Sequence, residues 1–209
     1  ERQEYFLQGN NELIVPLIWR GDNGVVVTKN YHFKPDSYIV EVDYLISNNS
    51  NTDQIVSSYT QLSHGSEEES GGGFMMGMQN FSGGATYNDE EIFEKIDFED
   101  FDSSPKTTSI GGWAAMIQHY FFAAWIPNDD EKHTYSTKSS RGKYLLTTVN
   151  PSSKIAAGTT ASLGKNQLYI GPKEHVRLEL LAPGIDKTVD YGWLYIVAKP
   201  LSVFLHWIY

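Results

Sequence analysis

Short runs of β-branched and aromatic residues alternate with clusters of polar turn formers along most of this chain, a rhythm that points to β-sheet. Residues 12–19 are apolar apart from Glu12 and contain Pro16, which cannot donate to a ladder and so suits an edge strand. Residues 25–33 are rich in Val, Thr, Tyr and Phe, and residues 38–46 carry acids in alternation at Glu41 and Asp43. The cluster Asn48-Asn-Ser-Asn-Thr-Asp53 forms a turn, after which residues 54–62 resume as a strand. Further strands are expected at 74–81, 92–98, 143–149, 154–163, 167–170 and 176–181. Many short strands between polar turns imply a mainly β protein, a large antiparallel sandwich. No period of about 20–50 residues repeats, which sets propellers and solenoids aside.

The 209 residues make one large domain or two small ones, and a 40% hydrophobic, 20% charged composition supports a real core. With no cysteine, disulfides, thiolate catalysis and Cys-based zinc sites are excluded. The net charge of −10 is local: eleven acids and one base, Lys95, lie between His64 and Pro105, while the remaining acids and bases cancel. That segment reads as a solvated loop. Calcium binding is its sharper alternative, but no EF-hand spacing occurs. Nucleic acid is not an expected partner, because phosphate binding requires a basic surface. Ser70-Gly-Gly-Gly73 and Ser82-Gly-Gly84 bracket Phe74-Met-Met-Gly-Met78 and read as a flexible loop or tight hairpin, since the Gly-Lys-Ser/Thr of a phosphate loop is missing. The chain opens with Glu1, without an apolar leader, and reads as a piece of a longer protein.

Two segments depart from this background. Residues 111–127 are almost wholly apolar, broken only by Gln118 and His119; periodicity leaves open a helix or two buried strands joined by a turn, and the run is too short for a membrane span. At the C-terminus, Pro200 divides residues 190–209. The residue before proline avoids the α region, so Lys199 ends an extended element, and a helix starts near Pro200. Ser202, His206 and Tyr209 form one stripe of that helix and apolar side chains cover the rest. It suits a helix lying in a membrane interface, flanked by Trp193, Tyr195, Trp207 and Tyr209; a buried packing helix is the alternative.

Gly112-Trp-Ala-Ala-Met-Ile-Gln-His-Tyr-Phe with Ala124-Trp-Ile-Pro127, then Leu168-Tyr-Ile-Gly-Pro-Lys173, then Leu181-Ala-Pro-Gly-Ile-Asp-Lys-Thr-Val-Asp-Tyr-Gly-Trp-Leu194 running on to Lys199-Pro-Leu201, resemble in sequence and order the large periplasmic domain of YidC, the bacterial membrane protein insertase of Gram-negative type. Residues 1–110 match only in general character. The resemblance implies an antiparallel β-supersandwich, similar to galactose mutarotases, over residues 1–198. It implies a short amphipathic interfacial helix over 199–209 that leads to a transmembrane core not contained in this chain. It makes Trp113, Tyr120, Pro127, Gly171, Pro172, Asp190, Tyr191, Gly192 and Pro200 structural motif residues. It makes Trp193, Lys199, Leu201, Phe204, Leu205, Trp207 and Ile208 the membrane contact. Relatives usually carry one or two lysines in that helix, where Ser202, Val203 and His206 stand here. Apolar burial, on the order of 10 kcal/mol gross, therefore outweighs the lysine contribution of about 1 kcal/mol.

By the same resemblance the chain is a non-catalytic domain on the periplasmic side of the bacterial inner membrane. Its partners would be SecD/SecF and the Sec translocon, inserting membrane proteins, and the membrane surface, with no cofactor and no metal. Acid–base sugar chemistry would need a carboxylate and histidines facing one pocket. None of His32, His64, His119, His133, His175 and His206 stands in a His-x-Glu or His-Glu-x-x-His pattern. His119 reads as a core histidine, and His175 alternates with Arg177 and Glu179 as on an exposed strand. The alternative function is a peptide- or glycan-binding module in a mutarotase-like cleft, with free edge strands and the Met-rich 74–78 segment as its adaptable surfaces.

Overall fold

The computed structural model describes residues 4–9, 11–65, 81–90, 92–118, 120–128, 130–173, 178 and 181–188. The described residues carry β1 (Leu13–Arg20), β2 (Val25–Phe33), β3 (Ile39–Asn48), β4 (Gln54–Val56), β5 (Tyr59–Gly65), β6 (Gly83–Tyr87) and β7 (Phe93–Asp97). They continue with β8 (Thr107–Ile110), β9 (Trp113–Ile117), β10 (Phe121–Ile126), β11 (Lys132–Ser140), β12 (Lys143–Val149), β13 (Ser153–Ile155) and β14 (Thr160–Pro172). Single 3₁₀ turns occupy Phe98–Asp100 and Ile185–Thr188.

An eight-stranded sheet of order β1-β2-β3-β14-β10-β9-β6-β7 packs against a four-stranded sheet of order β5-β12-β11-β8, with β13 and β4 forming a separate pair. The recorded pairings are antiparallel. Between the two large sheets lie Val42, Ala114, Met116 and Trp125 from one and Leu62, Tyr135 and Leu146 from the other, closed by Ile96 and Phe101. On the opposite face of the larger sheet, Trp113, Ala115, Ile117, Phe122, Ala124 and Tyr169 are covered by Leu178, Ala182 and Ile185. The fold is thus an antiparallel β-supersandwich.

The ambiguous run 111–127 resolves as the hairpin β9–β10, turned through a Gln118 N–H bond to the Phe121 carbonyl. Its unbroken apolar character has a physical cause: β9 is buried on both faces, one against the second sheet and one under Leu178, Ala182 and Ile185. Pro16 sits on an edge strand as expected, and β2 spans the residues expected of it.

Several expectations change. The strand expected over 54–62 is two strands in different sheets, parted where Ser57 Oγ donates to the Asn150 carbonyl and Asn150 Nδ2 donates to Ser58 Oγ. The strands expected at 154–163 and 167–170 are regrouped as β13 and one 13-residue β14, whose register shifts between Leu163 and Asn166. The strand expected at 176–181 is replaced, at its described residues, by turns: Leu178 is helical and Leu181 N–H bonds back to its carbonyl. Gly83 and Gly84 are not a loop but part of β6, where the Phe101 ring lies 2.9 Å from any Cβ that Gly84 would carry. The acidic segment is likewise not one solvated loop, since β7 and the turn holding buried Phe101 cross it. Residues 66–80, with the Met-rich piece, lie outside the described residues.

Candidate functional site

The motif residues converge on the β9–β10 hairpin. Trp113 is fully buried, its indole N–H donates to the Pro183 carbonyl at 2.9 Å, and Tyr87 stacks on it at 5.8 Å between centroids with an interplanar angle of 7°. The first and third motifs are therefore joined by a hydrogen bond from one to the backbone of the other. The second motif pairs with β10: Tyr169 stacks on Phe122 at 4.7 Å and donates its hydroxyl to the Pro172 carbonyl at 2.7 Å. Gly171 is buried opposite Phe122, and Pro172 stands opposite Phe121. Tyr120 has a side chain 70% exposed, while its carbonyl accepts the Lys173 N–H at 3.1 Å, which ties the first motif to the second through the backbone. Asp190, Tyr191, Gly192, Pro200 and the expected membrane contacts Trp193, Lys199, Leu201, Phe204, Leu205, Trp207 and Ile208 lie outside the described residues.

Two grooves flank Ala182-Pro183. One, of about 350 Å³, is lined by Glu41, Ile126, Pro127, Asn128, Lys165 and Gln167. The other, of about 240 Å³, is lined by Tyr87, Asn88, Asp89, Ile110 and the Gly111-Gly112 backbone. Sequence reasoning did not find either, because each is made by strands far apart in the chain meeting one covering segment. The charges in the first are already paired: Glu41 accepts from Lys34 at 2.6 Å and from Lys165 at 3.5 Å. The Lys34 hydrogen bond leads in holding the Glu41 carboxyl below its ordinary value, with Lys165 adding to it against burial. In the second, Asp89 is held low chiefly by the Ser109 hydroxyl, which donates to it at 3.0 Å, and by backbone donation from Ile110.

The depressed Glu41 value fixes the sign of a pH effect. Its contribution to stability is fully present above its unfolded value near 4.5 and is lost as pH falls through the lower folded value. Glu41→Gln should therefore flatten the acid limb of the stability profile below about pH 4.5, read by urea unfolding from pH 3 to 7. An unchanged acid limb would show that the pair carries no net stability.

The described histidines occupy structural positions. His133 is buried, with Nε2 donating to the Asn128 carbonyl at 2.8 Å and Nδ1 facing the Asn150 amide at 2.9 Å. His32 lies between Asp43 at 2.6 Å and Glu12 at 3.3 Å on an outer strand pair. His64 stacks on Phe98 at 4.8 Å. The histidine that serves as a core residue among those described is thus His133; His119, His175 and His206 lie outside the described residues. His133 carried no apolar-run signal, since β11 is largely polar in sequence.

The geometry defines a β-supersandwich protein whose shared motifs serve packing and whose open surfaces are grooves and sheet edges. Residues 1–204 match the family model described as the YidC periplasmic domain. The membrane protein insertase YidC of Vesicomyosocius okutanii is 50% identical over 98% of this chain, and that of Ruthia magnifica 48% identical over all of it. The chain belongs to the YidC periplasmic domain family. It spans about 37% of the length of these curated relatives. Among solved structures, an α-galactosidase from Lactobacillus brevis matches 81% of this chain and 24% of its own, with a TM-score of 0.59 at 10% identity, a likeness of fold alone. A galactose mutarotase-related protein from Lactobacillus acidophilus matches 80% of this chain and 70% of its own, with a TM-score of 0.48 at 6% identity.

Proposed function

We propose that this chain is the non-catalytic periplasmic platform of a membrane protein insertase, on the outer side of the bacterial inner membrane. It serves as a docking surface for SecD/SecF and the Sec translocon and for inserting membrane proteins, and it rests on the bilayer through residues 199–209. The observation that carries this reading is the family match over residues 1–204, together with relatives named as membrane protein insertases. Two features of the fold support a scaffold rather than a reactive centre. The motif residues Trp113, Tyr169 and Pro172 are engaged in packing and in hydrogen bonds to or from backbone carbonyls. The described histidines are engaged with carboxylates, amides and rings on separate elements rather than converging on one groove.

The membrane foot follows from residues 199–209, where apolar side chains outnumber the single base Lys199. Flotation of the chain with liposomes should show weak binding that persists at high salt, because salt screens charge but not apolar burial. Replacing Leu201, Phe204 and Trp207 by Ser should abolish flotation while leaving the unfolding temperature within a few degrees, on the scale of about 2–4 °C per kcal/mol. Binding lost at moderate salt, or a collapse of stability in the triple variant, would refute the membrane foot.

A further inference from the structure

One face of the β1–β2–β3 corner carries a charge without a counterion. Directly opposed residues of antiparallel strands share a face, and the register sets Leu17, Lys29 and Tyr44 in one row across these strands. The neighbouring row on one side runs through Tyr31 to Val42, which is buried against the second sheet. The row on the other side runs from Trp19 to Ile46, which is buried with Ile155 of β13. Between these two covers the β1 side of the strip stays open: Leu17 and Trp19 are 55% and 57% exposed. Lys29 is the only charged side chain in the three rows.

Lys29 is half-buried, with its Nζ 4.8 Å from the centre of the Tyr31 ring and 5.4 Å from that of Tyr44. Ring faces attract an ammonium but supply no neutralising charge. Among the described residues no carboxylate pairs with it. The two acids of these strands, Glu41 and Asp43, project from the opposite face and are engaged there by Lys34, Lys165 and His32. Burial is the largest influence on the Lys29 pKa and lowers it, but hydrogen bonding and charge at Tyr31 and Tyr44 together outweigh it and hold the group above its ordinary value. The amine therefore stays protonated, in surroundings where a charge is costly to keep unless an anion meets it.

We propose that this strip binds an anionic amphiphile, a phosphate or carboxylate carried on an alkyl chain, with the anion on Lys29 beside Tyr31 and Tyr44 and the chain along Leu17 and Trp19. Charge complementarity selects the anion, and the exposed apolar neighbours select the chain. A bare phosphate would leave Leu17 and Trp19 in water, and a neutral alkyl chain would leave the ammonium without its counterion. The site is distinct in sequence from the membrane foot at residues 199–209.

Isothermal titration calorimetry of the 209-residue chain with decyl phosphate, below its micelle concentration, tests the site. One-to-one binding is expected, weakened about tenfold by Lys29→Met, which keeps the apolar stem and removes the charge, and kept by Lys29→Arg. Decyl maltoside, with the same chain and no charge, and inorganic phosphate, with the charge and no chain, should each bind about tenfold more weakly than decyl phosphate. Two variants should bind decyl phosphate as the parent chain does: the foot variant, with Leu201, Phe204 and Trp207 replaced by Ser, and Lys154→Met, whose ammonium pairs with Asp53 elsewhere. Far-UV circular dichroism verifies folding, and the comparison of the three probes on the unaltered chain needs no variant. Equal binding of the maltoside would mean an apolar surface only, and equal binding of inorganic phosphate an anion site only. Loss in the foot variant would move the binding to the foot. Each of these overturns the proposal, as would undiminished binding by Lys29→Met or no binding of decyl phosphate by the parent chain.

Discussion

Trp113→Ala should destabilise the chain by about 3–5 kcal/mol, the cost of removing a large buried aromatic whose surroundings relax only in part. At about 2–4 °C per kcal/mol for a domain of this size, the unfolding temperature should fall by on the order of 10 °C. The cause is the position of the ring: it is fully buried, stacked on Tyr87, tilted against Phe93 at 5.9 Å and hydrogen-bonded to the Pro183 carbonyl. Trp113→Phe separates these contributions. It keeps much of the ring contact but leaves a carbonyl without its donor, a loss of about 1–3 kcal/mol. Thermal and urea unfolding read both variants. A cost below about 1 kcal/mol for the alanine variant would mean that the covering segment does not depend on the indole.

Gly112→Ala should be comparably damaging by a different route. Gly112 has φ of +82°, and a Cβ there would stand 2.1 Å from the Tyr87 carbonyl oxygen, a backbone atom that cannot rotate away. Left-handed strain alone costs about 1–2 kcal/mol, and forced displacement of packed backbone adds about 1–3 kcal/mol. Gly158 supplies the control: its φ is +72°, but no atom lies within 4 Å of its would-be Cβ. Gly158→Ala should therefore show the strain alone, and the difference between the two variants in urea unfolding measures the clash. Equal costs would remove close approach as the reason for glycine at 112.

Where a strand has one face in a core and residues to match, its place could be read from the sequence. Residues 25–33 became β2 with the same ends, and Pro16 marked an edge strand through its missing donor. The polar strands escaped detection. In β11 only His133 and Tyr135 are fully buried, so no apolar run announced it, and β8 buries Ser109 alone. The break at Ser57-Ser58 was hidden because the two halves of an apparently continuous strand serve different sheets, joined to Asn150 by hydrogen bonds across about ninety positions of sequence. The grooves beside Ala182-Pro183 were hidden for a related reason: Glu41, Asn128 and Lys165 come from separate elements.

The order and wording of the three motifs sufficed to place the chain in its family, because a motif is local and its residues stand next to one another. Their physical purpose was not local. The burial of Trp113, its bond to Pro183 and the closeness of Gly112 to Tyr87 depend on segments about seventy and twenty-five positions away. Chain neighbours cannot encode which distant carbonyl will meet an indole N–H. That is decided when the sheet closes and residues 181–188, with Leu178, lie down on β9 and β10.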